Sequence, residues 1–165
     1  MSLEKPNIEA PRLGEPFLLT PGPLTTSYDA KAAMLKDWGS WDGDFRKMTQ
    51  KMRDRLIQML GNGNESFDCV PMQGSGTFAV ESMISSLTPK DAHILILING
   101  AYGQRMKKMC AYLNRNTIEY EVAEHEPHDM KKIEEIIDGN KQLTHVFAVY
   151  CETTSGILNP INDIA

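Results

Sequence analysis

The 165-residue sequence contains no apolar stretch near the length that a membrane-spanning helix needs, which is roughly 20 residues. Its first stretch, MSLEKPNIEAPRLGEP, has no apolar centre and does not read as a secretory signal. Basic residues are neither abundant nor bunched: Lys and Arg total 17 against 22 Asp and Glu, for a net charge of −5. A nucleic-acid footprint is not expected from that pattern. Cysteine is scarce. Cys69, Cys110 and Cys151 form no C-x-x-C pair and are expected to be free, buried thiols in a reducing cytoplasm. The histidines lack the helical spacing of a metal site, and His125 and His128, in AEHEPHD, read as part of a solvated connector. Internal repeats and low-complexity segments are also missing. What remains, 41% hydrophobic and 24% charged residues, is the composition of a globular protein with one core.

Residues 1–16 read as a polar arm, with residues 1–3 resembling an expression scar, and residues 17–165 as one domain. After an extended PFLL and the Pro21-Gly22-Pro23 turn, Ser27 can cap a short helix through Lys36. DWGSWDGDF breaks the chain again. Asp42 or Asp44 then caps a helix to about Leu60, with Phe45, Met48, Met52, Leu56 and Met59 at helical spacing. GNGNES ends it. An alternation follows: FDCVPM as a strand, a helix from Ser75 to Leu87, and HILILI as a strand. A helix to about Leu113, TIEYEV as a strand, a helix over 130–137 and HVFAVY as a strand come next, with another helix starting at Asn162. The unbroken apolar runs are those of strands buried on both faces. This rhythm predicts an α/β fold, a mainly parallel sheet with helices on both faces in three layers.

Three polar, glycine-containing loops leave the carboxyl ends of strand candidates: QGSGT, NGAYG and CETTSG. Ligands bind at that edge in open α/β sheets. QGSGT opens a helix, where unpaired N–H groups and the positive end of the helix dipole suit an anion. It is neither a G-x-x-x-x-G-K loop nor a complete G-x-G-x-x-G. The residues alone leave two readings open, a plain strand–helix turn or a phosphate cradle. Tyr102 on its glycine-flanked loop can pack at a helix start or lie against a planar ligand. Glu152, Thr153, Thr154 and Ser155 can form a turn or present hydrogen-bonding groups. Taken together, the loops suggest a planar, phosphorylated ligand.

LLTPGPLTTS, DWGSWDGDF, QGSGTFAVE, LINGAYGQR and CETTSGILNP resemble the class V, fold type I aminotransferases that use pyridoxal 5′-phosphate. The resemblance covers residues 17–165, and it is strongest to members that move the amino group of 2-aminoethylphosphonate to pyruvate. It implies that Ser75, Gly76 and Thr77 hold the cofactor phosphate, that Tyr102 stacks on the pyridine ring, and that Thr153 bonds near the ring oxygen. It implies that Thr20, Pro21, Gly22 and Pro23 border the substrate pocket. It also implies phosphonoacetaldehyde and L-alanine as products, a cytoplasmic homodimer, and no nucleic-acid or membrane partner.

Family chains carry a Schiff-base lysine, a ring-nitrogen aspartate and an anion-binding arginine further along, and a small C-terminal domain. None of these is matched in this sequence. Lys90, Lys107, Lys108, Lys131, Lys132 and Lys141 read as solvated surface residues. The expectation is therefore an N-terminal portion of the large domain, inactive by itself and with no catalytic residue of its own. The alternatives are a class V relative acting on alanine, serine or glyoxylate, or a non-catalytic remnant that binds phosphate or pyridoxal phosphate.

Overall fold

The computed structural model describes residues 15–61 and 64–165, in two compact units that meet in sequence after Pro71. All but the last two residues of the expected arm, and the centre of GNGNES, lie outside the described residues.

The first unit contains α1 (Tyr28–Ala33) and α2 (Gly43–Gln58), followed by a 3-10 turn at Asn64–Ser66. The Ser27 Oγ caps α1 by accepting from the Ala30 N–H at 3.2 Å. Asp42 stands at the α2 N-cap, and its carboxylate accepts from the Gly39 N–H at 2.9 Å, folding DWGSW back on itself. Arg53 reaches out of α2 to the Cys69 carbonyl (2.8 Å) and the Asp68 carboxylate (2.5 Å). That donated hydrogen bond holds the Asp68 carboxyl below its ordinary range. Neither helix has a buried residue.

The second unit carries the core. It contains α3 (Gly76–Leu87), β1 (His93–Ile98), α4 (Ala101–Tyr112), β2 (Asn116–Glu121), α5 (Met130–Gly139), β3 (His145–Phe147), β4 (Cys151–Glu152), β5 (Ile157–Leu158) and α6 (Ile161–Ile164). The main sheet has the order β2-β1-β3 and is parallel throughout, with Ile96 opposite both Glu119 and Phe147. Successive side chains of a strand point to opposite faces. Ile94, Ile96 and Ile98 therefore pack with Ile84 of α3 and with Met106 and Cys110 of α4. Leu95 and Leu97 pack the other way, with Ile133 of α5 and, at the margin, Ile136 and Ile164. β1 is buried from Ile94 to Ile98, as an apolar run with helices on both sides should be. Each such side chain contributes about 1.5–3 kcal/mol on leaving water. Gln104 and Lys107 of α4 bond Glu121 (2.7 Å) and Glu119 (3.0 Å) of β2, fixing that helix along the sheet.

The expected three-layer α/β arrangement is what the second unit shows. Four local expectations change. FDCVPM is not a strand: residues 67–72 have no ladder partner among the described residues, and Pro71 has no N–H to offer one. HVFAVY pairs only as far as Phe147. CETTSGILNP is not all loop but a short antiparallel hairpin, Glu152 opposite Ile157, closed through Gly156 at φ 77°. The thiols are free but not all buried: Cys110 is buried, Cys69 is half-buried and Cys151 is exposed.

Candidate functional site

The helices α3 and α4 face each other across one cleft of the second unit, and their first turns are built differently. Ser75 caps α3, its Oγ accepting from the Phe78 N–H at 3.3 Å. Gly74 has φ +150°, and a Cβ there would stand 2.6 Å from the Phe78 ring, so this turn requires glycine. Gly76 faces open space instead: an added Cβ would meet nothing within 4 Å. The first amides of a helix have no intrahelical acceptor, so α3 begins with free donors beside a vacant volume.

The α4 start is filled from within. Glu152 is fully buried, and one carboxylate oxygen accepts from the Tyr102 N–H (3.1 Å) and the Gly103 N–H (3.4 Å). The other accepts from the Thr154 hydroxyl at 2.7 Å, and the Thr154 Oγ accepts in turn from the Ala101 N–H at 3.3 Å. A Cβ on Gly100 would stand 2.3 Å from the Glu152 side chain, so glycine is needed there for space. Behind this cluster Asn99 and Asn159, both buried, exchange side-chain amide bonds of 2.9 and 3.1 Å, and Asn159 also donates to the Val149 carbonyl at 2.7 Å.

Between the two helix starts opens a cleft of about 490 Å³, lined by Ser75, Gly76, Thr77, Tyr102, Arg105 and Tyr150 over an apolar floor that includes Met106 and Val149. Arg105 joins its walls. Its guanidinium donates to the Thr77 Oγ at 2.9 Å and lies 4.9 Å from the centre of the Tyr102 ring. That stacking is a cation–π contact. An arginine can only donate, so the Thr77 hydroxyl must accept from it and keeps its own proton for another partner. The site thus offers helix-start amides, hydroxyl donors, the positive charge of Arg105 and the aromatic rings of Tyr102 and Tyr150.

Over 94% of its length the chain is 53% identical to the 2-aminoethylphosphonate–pyruvate transaminase 1 of Paraburkholderia xenovorans (strain LB400). Over 93% it is 49% identical to the 2-aminoethylphosphonate–pyruvate transaminase of Rhizobium meliloti (strain 1021). The chain is a homologue of part of these transaminases. It spans 40% of the length of each. The fold agrees with that of solved aminotransferases. The pyridoxamine–pyruvate aminotransferase of Mesorhizobium loti matches with a TM-score of 0.81 at 23% identity, over 95% of this chain and 40% of that one. The alanine–glyoxylate aminotransferase of Nostoc sp. matches at 0.74 and 21%, over 97% of this chain and 43% of that one. No family model matches the chain.

Of the residues expected from the transaminase resemblance, Ser75, Gly76, Thr77 and Tyr102 come together on the cleft. Thr153 does not line it; it sits half-buried in the β4–β5 hairpin beside Thr154. Thr20 to Pro23 belong to the first unit, where the Thr20 hydroxyl donates to the Pro23 carbonyl at 2.8 Å. No lysine lines the cleft among the described residues. Lys107, Lys132 and Lys141 pair instead with Glu119, Glu135 and Asp138.

Sequence reasoning missed Arg105, Glu152 as a buried group, and the Asn99–Asn159 pair. The sequence signal available for Arg105 was its place one helical turn after Tyr102. For the other two, all that local sequence offered was a loop position. His128 also differs from expectation. It is buried rather than solvated, edge-on to the Tyr120 ring at 5.2 Å, with Nε2 3.3 Å from the Tyr120 carbonyl oxygen and no hydrogen-bond partner on Nδ1 among the described residues. Burial pushes its pKa below the ordinary 6.5. No cluster of metal-ligating side chains occurs among the described residues.

Proposed function

We propose that the cleft is one wall of a pyridoxal 5′-phosphate site in a transaminase that moves the amino group of 2-aminoethylphosphonate to pyruvate, yielding phosphonoacetaldehyde and L-alanine. The observation that carries this reading is the convergence of the α3 N-terminus, the Tyr102 ring and Arg105 on one open cleft. The names of the transaminase relatives supply the substrates.

The residues fit the phosphate end of the cofactor and one face of its ring. The amides at the start of α3 and the hydroxyls of Ser75 and Thr77 would donate to the phosphate, which the helix dipole favours there. Arg105 would add charge while aiming the Thr77 proton. Tyr102 would cover a ring face. When bound, the cofactor supplies the electron sink for the amino-group exchange. The described residues supply binding and orientation, and none of those on the cleft is an amine. Thr153, and Thr20 to Pro23, keep their roles near the ring oxygen and the substrate on the strength of the resemblance.

The test uses pyridoxamine 5′-phosphate, an amine that cannot condense with surface lysines. Titrated calorimetrically, it should bind at least about tenfold more tightly than pyridoxamine, since a phosphate on charged and backbone donors is worth about 1.5–3 kcal/mol or more. Gly76→Ala should abolish most of that preference and leave the unfolding midpoint unchanged or higher, because the new methyl enters open space in a helix. Equal binding of pyridoxamine and its phosphate would sink the cradle and leave QGSGT a plain turn.

A further inference from the structure

Of the helices that border the cleft, α3 and α4 both begin with amides that no intrahelical acceptor serves, yet only the α3 start is open. At α4 the amides of Tyr102 and Gly103 end on Glu152, and the amide of Ala101 ends on Thr154, itself bound to Glu152. A surface carboxylate at this place would be an ordinary helix cap. This one has no solvent exposure, and it comes from the separate β4–β5 hairpin, some 50 residues along the chain. Its side chain takes the space left by the missing Gly100 side chain. The same residue lies in β4, so the hairpin and α4 are fastened to one group.

We propose that Glu152 is a positioning residue: it closes the α4 N-terminus to anions and holds Tyr102 against the cleft, leaving the α3 N-terminus, of the two that border the cleft, as the phosphate seat. The inference rests on the cofactor reading of the cleft. The physical reason is one of charge and geometry. Two adjacent helix starts compete for one phosphate unless one is already neutralised by a built-in anion. The carboxylate bonds the Tyr102 backbone itself, so the ring's place on the cleft wall depends on Glu152 although the two side chains do different work. Glu152 acts through Tyr102 and does not itself line the cleft.

The experiment compares the wild-type chain with Glu152→Gln by two-dimensional NMR, which reads Gly76 and Thr77 at one helix start and Tyr102 and Gly103 at the other. Two probes are titrated, inorganic phosphate and pyridoxamine 5′-phosphate. In E152Q the amides of Tyr102 and Gly103 should exchange with solvent about tenfold faster, the loss expected for a weakened charge-assisted hydrogen bond. Pyridoxamine 5′-phosphate should bind about tenfold more weakly, whereas inorganic phosphate at Gly76 and Thr77 should hold within about twofold, because α3 is untouched. Should E152Q fail to fold, Thr154→Val, which removes one donor to the carboxylate, should show the same pattern in smaller size. Parallel loss of both probes would make Glu152 merely structural, and unchanged binding of both would remove its role; either overturns the proposal. A wild-type chain that binds pyridoxamine as well as its phosphate overturns the cofactor reading instead, and amide exchange then still decides whether the fastening exists.

Discussion

Two apolar stretches of the chain meet opposite fates. β1 is buried from Ile94 to Ile98, with α3 and α4 on one face and α5 and α6 on the other. α2 and its C-cap carry an apolar stripe just as regular, yet Met48, Met52, Leu56 and the C-cap Met59 are all exposed, Met59 by 81%. Periodicity fixes which element a segment forms. Burial depends on whether the rest of the unit supplies a surface to cover it. The second unit does so on both faces of its central strand. The first unit has no buried residue among those described, and hydrogen bonds and ion pairs such as Arg53 with Asp68 and Lys31 with Glu15 shape it instead.

The comparison sets expectations for stability. Ile96→Ala, at the centre of the sheet, should lower unfolding free energy by about 2–5 kcal/mol, read by denaturant titration. Protonation of His128 comes next. Burial depresses its pKa in the folded chain, so the unfolded chain binds the proton more readily. The stability this group protects is intact above its ordinary pKa of 6.5 and is lost as pH falls through the lower folded value. Thermal midpoints followed from pH 8 to pH 5 should therefore drop, and His128→Asn should flatten the drop; a slope unchanged by the substitution would assign it to other groups. The smallest effect is expected in the first unit, where Met52→Ala should shift stability by no more than about 0.5 kcal/mol. A cost as large as that of Ile96→Ala would mean that the α2 stripe is covered in solution, and the contrast would fail.

The strands and helices of the second unit were legible because their signals are local. Five consecutive apolar residues between turn residues announce β1, and the apolar spacing from Ser75 to Leu87 announces α3. Residues 67–72 misled because a strand is a relation between two backbones, and local composition carries only one of them. The β4–β5 hairpin was illegible for a similar reason: strands of two residues have no period to detect. At the cleft, glycine and hydroxyl spacing drew attention to Ser75, Gly76, Thr77 and Tyr102 but left a plain turn and a ligand cradle both open, and their cofactor roles came only with the transaminase resemblance. Thr153 and Thr154 were adjacent and chemically alike, and the structure gives the bonds to α4 to Thr154. Glu152 looked like one more polar loop residue, since nothing local tells of amides 49 and 50 positions earlier.

The paired amides of Asn99 and Asn159 carry a consequence of their own. Each gives one bond to the other and takes one back across 60 residues of chain. A half-turn of either amide would set nitrogen against nitrogen and oxygen against oxygen, so the bonds fail together or not at all. The end of β1 and the start of the final helix are therefore joined by a latch with a single closed position. Such a latch sets registration more sharply than apolar packing does, because sliding by one atom gains nothing until a full step is made.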